Sequence, residues 1–157
     1  MCFVCGLENA SGLKGSFYEL EDGSVLGRFE SKPEWQGYPE RLHGGLASAM
    51  LDEVMSRAGM VGEESESWGV TSGLSLNFRK PVPLGGEILA RARIVKRGGR
   101  VYEAAAEILL ADGTAAVEAT GRFLKMRLSS IMAGDVTGLD WRVVASGSDA
   151  ETVTIPG

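Results

Sequence analysis

Hydrophobic positions change their period along this chain, and the changes mark its elements. Between residues 14 and 30, Phe17, Tyr18 and Leu20 run into Glu21-Asp22-Gly23, and Val25, Leu26 and Phe29 follow. Two apolar runs around an Asp-Gly turn predict a hairpin. Residues 31–42 contain Pro33, Gly37 and Pro39 and cannot be regular structure for long. From 43 to 60, Leu46, Ala47, Met50, Leu51, Val54, Met55 and Ala58 recur at steps of one, three and four. That spacing makes one broad apolar face of a helix. Gly44 and Gly45 open it, and Gly59 and Gly62 close it.

From Trp68 onward the period falls to two. Leu74, Leu76 and Phe78 alternate until Pro81 and Pro83. Ile88, Ala90, Ala92 and Ile94 alternate up to Gly98-Gly99, then Tyr102, Ala104, Ala106 and Ile108 up to Asp112-Gly113. Ala115, Val117, Ala119, Gly121 and Phe123 form the last run. Successive strands joined by short glycine turns predict an antiparallel meander. Many of their inward positions are Ala or Gly, which lets a helix lie close. The order is therefore hairpin, helix, then three or four long strands, an α+β chain. One helix covers such a sheet only if the sheet curls around it, so the other sheet face is either solvated or covered by another subunit. The periodicity is lost over 127–157. These residues predict a tail, anchored by Trp141, Val143 and Val144, that is partly ordered or docked on a neighbour. Residues 1–126 make the domain, led by a turn-rich segment with Gly6, Asn9 and Gly12.

The chain has 157 residues, enough for one domain with its own core. A net charge of -5 argues against a nucleic-acid partner held by general electrostatics. No apolar run approaches the ~18 residues of a membrane span. The start, Met1-Cys2-Phe3-Val4-Cys5-Gly6, lacks the basic and long apolar stretches of a signal peptide, which predicts a cytoplasmic protein. Cys2 and Cys5 form a C-x-x-C pair, and the chain has one histidine. That set cannot complete a four-ligand zinc site within one subunit, and no metal ligand is assigned from sequence. A structural or incidental role, a site shared between subunits and redox chemistry all stay open for the pair.

Candidate chemistry gathers on the helix. His43-Gly44-Gly45 opens it, and first-turn N–H groups lack intrahelical partners and carry partial positive charge. With no side chains at 44 and 45, a substrate carbonyl can approach, as an oxyanion hole requires. A tight turn into the helix is the alternative. Ser48, Asp52 and Ser56 form a polar i, i+4, i+8 stripe. Glu53 is matched by Arg57 at i+4 as a surface ion pair, whereas Asp52 has only serines at its i±4 positions. On a helix wrapped by its own sheet, that stripe faces either solvent or a partner subunit. Gly44 and Asp52 are separated by ~12 Å at ~1.5 Å rise per residue, too far to meet one carbonyl. Two antiparallel helices across a two-fold axis bring Gly44 of one chain to Asp52 of the other.

The stretch Leu42-His43-Gly44-Gly45-Leu46-Ala47-Ser48-Ala49-Met50-Leu51-Asp52-Glu53 resembles the H-G-G-x6-D/E signature of hotdog-fold acyl-CoA thioesterases. It is most similar to the phenylacetate-pathway and 4-hydroxybenzoyl-CoA thioesterase branch. Asn77 to Glu87, with Pro81 and Pro83, resembles that family's strand-then-proline passage, and Cys2 to Cys5 with Asn9 and Gly12-Leu13 recurs in one subgroup. The resemblance implies a curved antiparallel sheet wrapped around one central helix, and a homodimer or dimer of dimers. It implies hydrolysis of an acyl-CoA thioester with no cofactor. Asp52 is then nucleophile or general base, and the Gly44 N–H polarises the carbonyl. An amide side chain six residues before the His is asked for; position 37 is Gly, so the neighbouring Gln36 is the candidate. Ser56 and Thr71 match hydroxyl positions near the substrate, and His43 and Gly45 belong to the loop that meets it. Lys96, Arg97 and Arg100, at the Gly98-Gly99 turn, either hold the phosphates of CoA or are solvated hairpin ends; Arg79-Lys80 share both readings. Three rival functions remain at this point: a hydratase or dehydratase of the same fold, a non-catalytic acyl-CoA-binding protein, and a metal-bound assembly through Cys2 and Cys5 of paired subunits.

Overall fold

In the computed structural model, residues 1–62, 67–131 and 152–156 are described. The lead of residues 1–15 folds as turns. Leu13 N–H donates to Phe3 O and Gly15 N–H to Val4 O, which seats Val4 and Leu13 in the core. The hairpin follows as β1 (Ser16–Glu19) and β2 (Val25–Glu30). Helix α1 spans Gly44–Ala58, and its Ala47, Met50, Leu51, Val54, Met55 and Ala58 are buried as the apolar spacing requires. Leu46, at one margin of that face, is only half-buried.

Residues 31–42 hold only short elements, in keeping with their prolines and glycine. Pro33–Trp35 make a 3-10 turn, and β3 (Gln36–Tyr38) pairs with β4 (Arg41–Leu42). Pro33 sits in the first turn of its helix, where a missing N–H costs nothing. A pairing this short carries no period by which a sequence could show it.

The long strands are β5 (Ser67–Phe78), β6 (Glu87–Arg97), β7 (Val101–Leu109) and β8 (Ala115–Arg127). The expected meander is β6-β7-β8, although β8 runs past the expected end at Phe123. All pairs are antiparallel, and the sheet order is β1-β2-β6-β7-β8-β5. β5 therefore lies at one edge, beside β8, and the passage Arg79–Gly86 carries the chain to the other side of the meander. Gly85, at φ +98, takes a backbone conformation other residues rarely adopt in that crossing.

Where α1 crosses the sheet, the register lines up small residues: Ala92, Ala106 and Ala119 pair in a row, and Ala104 pairs with Gly121. A Cβ on Gly121 would stand 2.6 Å from Phe123 Cε2 and 3.1 Å from Met55 Cε. The helix lies this close because the sheet face beneath it is nearly bare. Phe123 stacks on Tyr102, with ring centroids 5.0 Å apart and planes 8° apart. This is the α+β arrangement of an antiparallel sheet against one central helix that the hotdog resemblance implies.

A short helix α2, Leu128–Ile131, follows β8. Residues 152–156 have no regular secondary structure, and the expected tail anchors Trp141, Val143 and Val144 lie outside the described residues. Among the described residues no helix is long and apolar enough to cross a membrane.

Candidate active site

His43 is the N-cap of α1. Its extended backbone, φ -65 and ψ 132, turns the ring so that Nδ1 accepts the Gly45 N–H at 3.0 Å. A ring that accepts at Nδ1 carries its proton on Nε2. Gly37 makes room for this ring: a Cβ there would stand 3.1 Å from His43 Cδ2. The His43 carbonyl accepts from Leu46 and Ala47, and the His43 N–H donates to Trp35 O at 2.8 Å. The first turn thus consumes the N–H groups of residues 45, 46 and 47. The Gly44 N–H has no hydrogen-bond partner among the described residues.

Gly44 opens into a cleft of about 540 Å³. Leu42, Ala47, Phe78 and Val82 form apolar walls, and Arg41, Arg79 and Lys80 stand at its rim. Phe78 is 58% exposed, and its ring lies over Gly44: a Cβ at 44 would be 3.4 Å from Phe78 Cε1. Arg79 also pairs with Glu118 at 2.9 Å. This is a donor at a helix N-terminus, set in an apolar slot edged with cations. It can hold a carbonyl oxygen as negative charge develops there.

Asp52 is half-buried on the same helix, and its Oδ1 accepts the Thr71 hydroxyl proton at 2.7 Å. Asp52 has only serines at its i±4 positions on the helix, and its partner comes from β5. Oδ2 has no partner among the described residues. The rest of the polar stripe serves the backbone. Ser48 Oγ donates to Gly44 O at 2.8 Å, and Ser56 Oγ donates to Gly69 O at 3.0 Å. Tyr102 O–H donates to Ser56 O at 3.0 Å, and burial pushes its phenol up to about 12.

Other sequence candidates lie farther off. Gln36 is exposed, and its Oε1 accepts the Glu40 N–H at 3.4 Å; Gly37, not Gln36, lines the cleft. Lys96, Arg97 and Arg100 surround the β6–β7 turn. Arg97 Nη2 donates to Val61 O at 3.0 Å, just past the C-terminal end of α1. Within one chain that turn and Gly44 stand at opposite ends of a 15-residue helix. Tyr38, Arg41 and Phe78 line the cleft without having been singled out from sequence. Their signal was weak, because short or alternating segments hide which side chains face a cavity. Cys2, Cys5 and Glu53 meet outside this cleft, their ligand atoms within 4.8 Å of one another.

The Thioesterase superfamily model matches residues 40–117, which carry Gly44, Asp52 and Thr71. The chain is 29% identical over 126 residues to the acyl-coenzyme A thioesterase THEM4 of Bos taurus. That match covers 79% of this chain and 51% of the relative, so the chain spans about half the length of the curated relative. A crystallised thioesterase superfamily protein superposes with a TM-score of 0.70 at 32% identity, over 77% of this chain and 61% of the other. The BH2602 protein of Bacillus halodurans, crystallised with CoA, gives 0.68 at 25% identity, over 78% and 80% of the two chains. A phenylacetic acid degradation-related protein of Ralstonia eutropha, described as a putative thioesterase, gives 0.64 at 25%, over 71% and 85%.

Proposed function

We propose that this chain, which belongs to the Thioesterase superfamily and has its hotdog fold, hydrolyses an acyl-CoA thioester at a site built from two copies of itself. The observation that carries the reading is the free Gly44 N–H at the head of α1, in an apolar cleft, with a half-buried carboxylate farther along the same helix. The similarity to THEM4, and to a fold neighbour crystallised with CoA, supports CoA as the thiol.

In the proposed reaction the thioester carbonyl oxygen accepts the Gly44 N–H. Asp52 of the second copy either attacks the carbonyl carbon, giving a mixed anhydride that water then hydrolyses to free the acid and restore Asp52, or takes a proton from an attacking water. The C–S bond breaks, CoA leaves as a thiolate that gains a proton, and the acyl group ends as a carboxylic acid. Thr71 holds one carboxylate oxygen and leaves the other to face substrate. Gln36 orients the water in this scheme, after releasing the Glu40 N–H. His43 and Gly45 fix the loop at the carbonyl, and Ser56 ties α1 to β5 behind Asp52.

The half-site reading rests on length and on an edge. Gly44 and Asp52 are ~12 Å apart along one helix, too far to share a carbonyl. β5 is the last strand of its sheet, twelve residues long, with Leu74 and Phe78 exposed at 38% and 58%. A long exposed edge strand invites pairing with another chain. If two copies pair there with antiparallel helices, Asp52 of one faces Gly44 of the other. The C-terminal end of one α1 then lies beside the N-terminal end of its twin, which brings Lys96, Arg97 and Arg100 toward the rim already edged by Arg41, Arg79 and Lys80. Such a rim suits the phosphates of CoA. A homodimer, or a dimer of such dimers, follows from this reading. The two free thiols suit a reducing compartment, and we infer cytoplasmic action.

The hydratase reading loses ground because His43, its natural acid–base group, is spent as a helix cap. The decisive experiment is a panel of acyl-CoA thioesters with detection of free thiol, run with the native chain and Asp52→Ala. The expected outcome is thiol release by the native chain and a loss of at least ~100-fold in the variant. Equal rates would remove Asp52 from the chemistry. Binding of acyl-CoA without thiol release by the native chain would make it a binding protein.

A further inference from the structure

The N-terminal lead presses against the helix that carries Asp52, and where they meet the side chains have no part in the hydrolysis. Cys2 and Cys5 stand as free, half-buried thiols. Their sulfurs and a carboxylate oxygen of Glu53 all lie within 4.8 Å of one another. In sequence Glu53 is far from both cysteines, and it pairs with Arg57 on its own helix. The fold brings all three together. We propose that Cys2, Cys5 and Glu53 bind one thiophilic divalent cation, zinc by preference, and that this cation staples the lead to α1.

Four features support this assignment. First, the donor set is two thiolates and a carboxylate, which selects zinc-like metals over calcium or magnesium. Second, the turn already holds its first sulfur in a fixed position. Cys2 Sγ accepts the N–H groups of Val4 at 3.3 Å and Cys5 at 3.4 Å, which fixes the sulfur within the turn. Asn9 Nδ2 holds the turn from outside through Met1 O, 3.2 Å away. Third, the carboxylate is held in place. Arg57 Nε donates to Glu53 Oε1 at 2.9 Å, and the guanidinium lies 3.9 Å from the centre of the Phe17 ring. Fourth, the charges close: two thiolates, one carboxylate, a divalent cation and Arg57 sum to zero.

Binding releases two thiol protons and forms two metal–sulfur bonds and one metal–oxygen bond, with no change of oxidation state. Tetrahedral zinc at ~2.3 Å from each sulfur sets the sulfurs ~3.7 Å apart, a contraction of about 1 Å at most from the present spread. Three protein ligands leave a fourth position for water. The pairing of cysteines from two subunits considered from sequence is then unnecessary, because the third ligand belongs to the same chain.

The test uses the full chain, reduced with a phosphine and handled without thiols. Zinc affinity is measured by competition with a chromophoric chelator, and metal content by elemental analysis. Cobalt(II) is added separately to read the thiolate charge-transfer absorption. The expected result is one zinc per chain, sulfur-to-cobalt absorption, and a zinc-dependent rise in Tm. Cys5→Ser is expected to weaken zinc at least ~100-fold and Glu53→Gln at least ~10-fold, while Glu8→Gln, on an exposed turn, leaves affinity unchanged. Circular dichroism verifies that each variant is folded, and a Glu53→Asp protein that recovers part of the affinity guards against a mere structural effect. A reduced native chain that takes up no zinc overturns the proposal. So does a Glu53→Gln protein that binds as tightly as the native chain. Neither result bears on thiol release, which is scored separately.

Discussion

Single side chains here do local work that a pattern of polar and apolar letters does not express. Tyr102 is buried beneath the end of α1, donating to Ser56 O and stacked on Phe123. Burial raises its phenol from 10.0 to about 12, so the fold favours the protonated form. With the folded value above the unfolded one, this contribution is complete below pH 10 and fades as pH climbs toward 12. Urea unfolding across that interval is expected to show stability falling, by at most ~1.4 kcal/mol per pH unit from this group. Tyr102→Phe is expected to cost ~1 kcal/mol at neutral pH and to remove that part of the alkaline slope. Gly44 offers a second substitution. It is the first residue of α1, behind an extended His43, and proline is well tolerated at that position. Gly44→Pro thus deletes the N–H and also sets a ring beside Phe78 where the carbonyl would approach. Thiol release is expected to drop ~100-fold or more with the thermal transition nearly unmoved, the scale of losing an oxyanion donor.

Helix α1 and the β6-β7-β8 meander were legible in the sequence because each buries one face, and burial imposes a period. Met50, Leu51, Val54 and Met55 mark one face of the helix; Ala90, Ala92, Ala104 and Ala106 mark one face of the sheet. The small residues in that second list were the clue that a helix rests there. Gly121→Ala tests the contact directly. Its added methyl meets Phe123, which the stacked Tyr102 keeps from moving, and the expected cost is ~1–3 kcal/mol by chemical denaturation. β5 was legible as a strand but not as an edge. Its neighbour is chosen by the crossing through Pro81 and Pro83, and a crossing leaves no period. The same limit hid the Thr71 bond to Asp52 and the meeting of Glu53 with Cys2 and Cys5. Each joins residues from separate elements, while the spacing argument sees one element at a time.

At the scale of the molecule, the proposed centre is divided between copies, and division has a genetic signature. Asp52→Asn and Gly44→Pro chains are each expected to be inactive alone. Unfolded together and refolded, they form mixed pairs in which one site holds both native residues and the other holds neither. Random pairing at equal amounts is expected to restore about a quarter of the native rate. A site contained within one chain would restore none. The position of β5 carries this one step further. In the proposed arrangement a lone protomer, with that strand bare, holds an acid and a donor that cannot reach a common atom, and it is expected to be silent until it meets its twin. Turnover per chain is then governed by mass action: on serial dilution it holds steady, then falls in proportion to protein once encounters become rare.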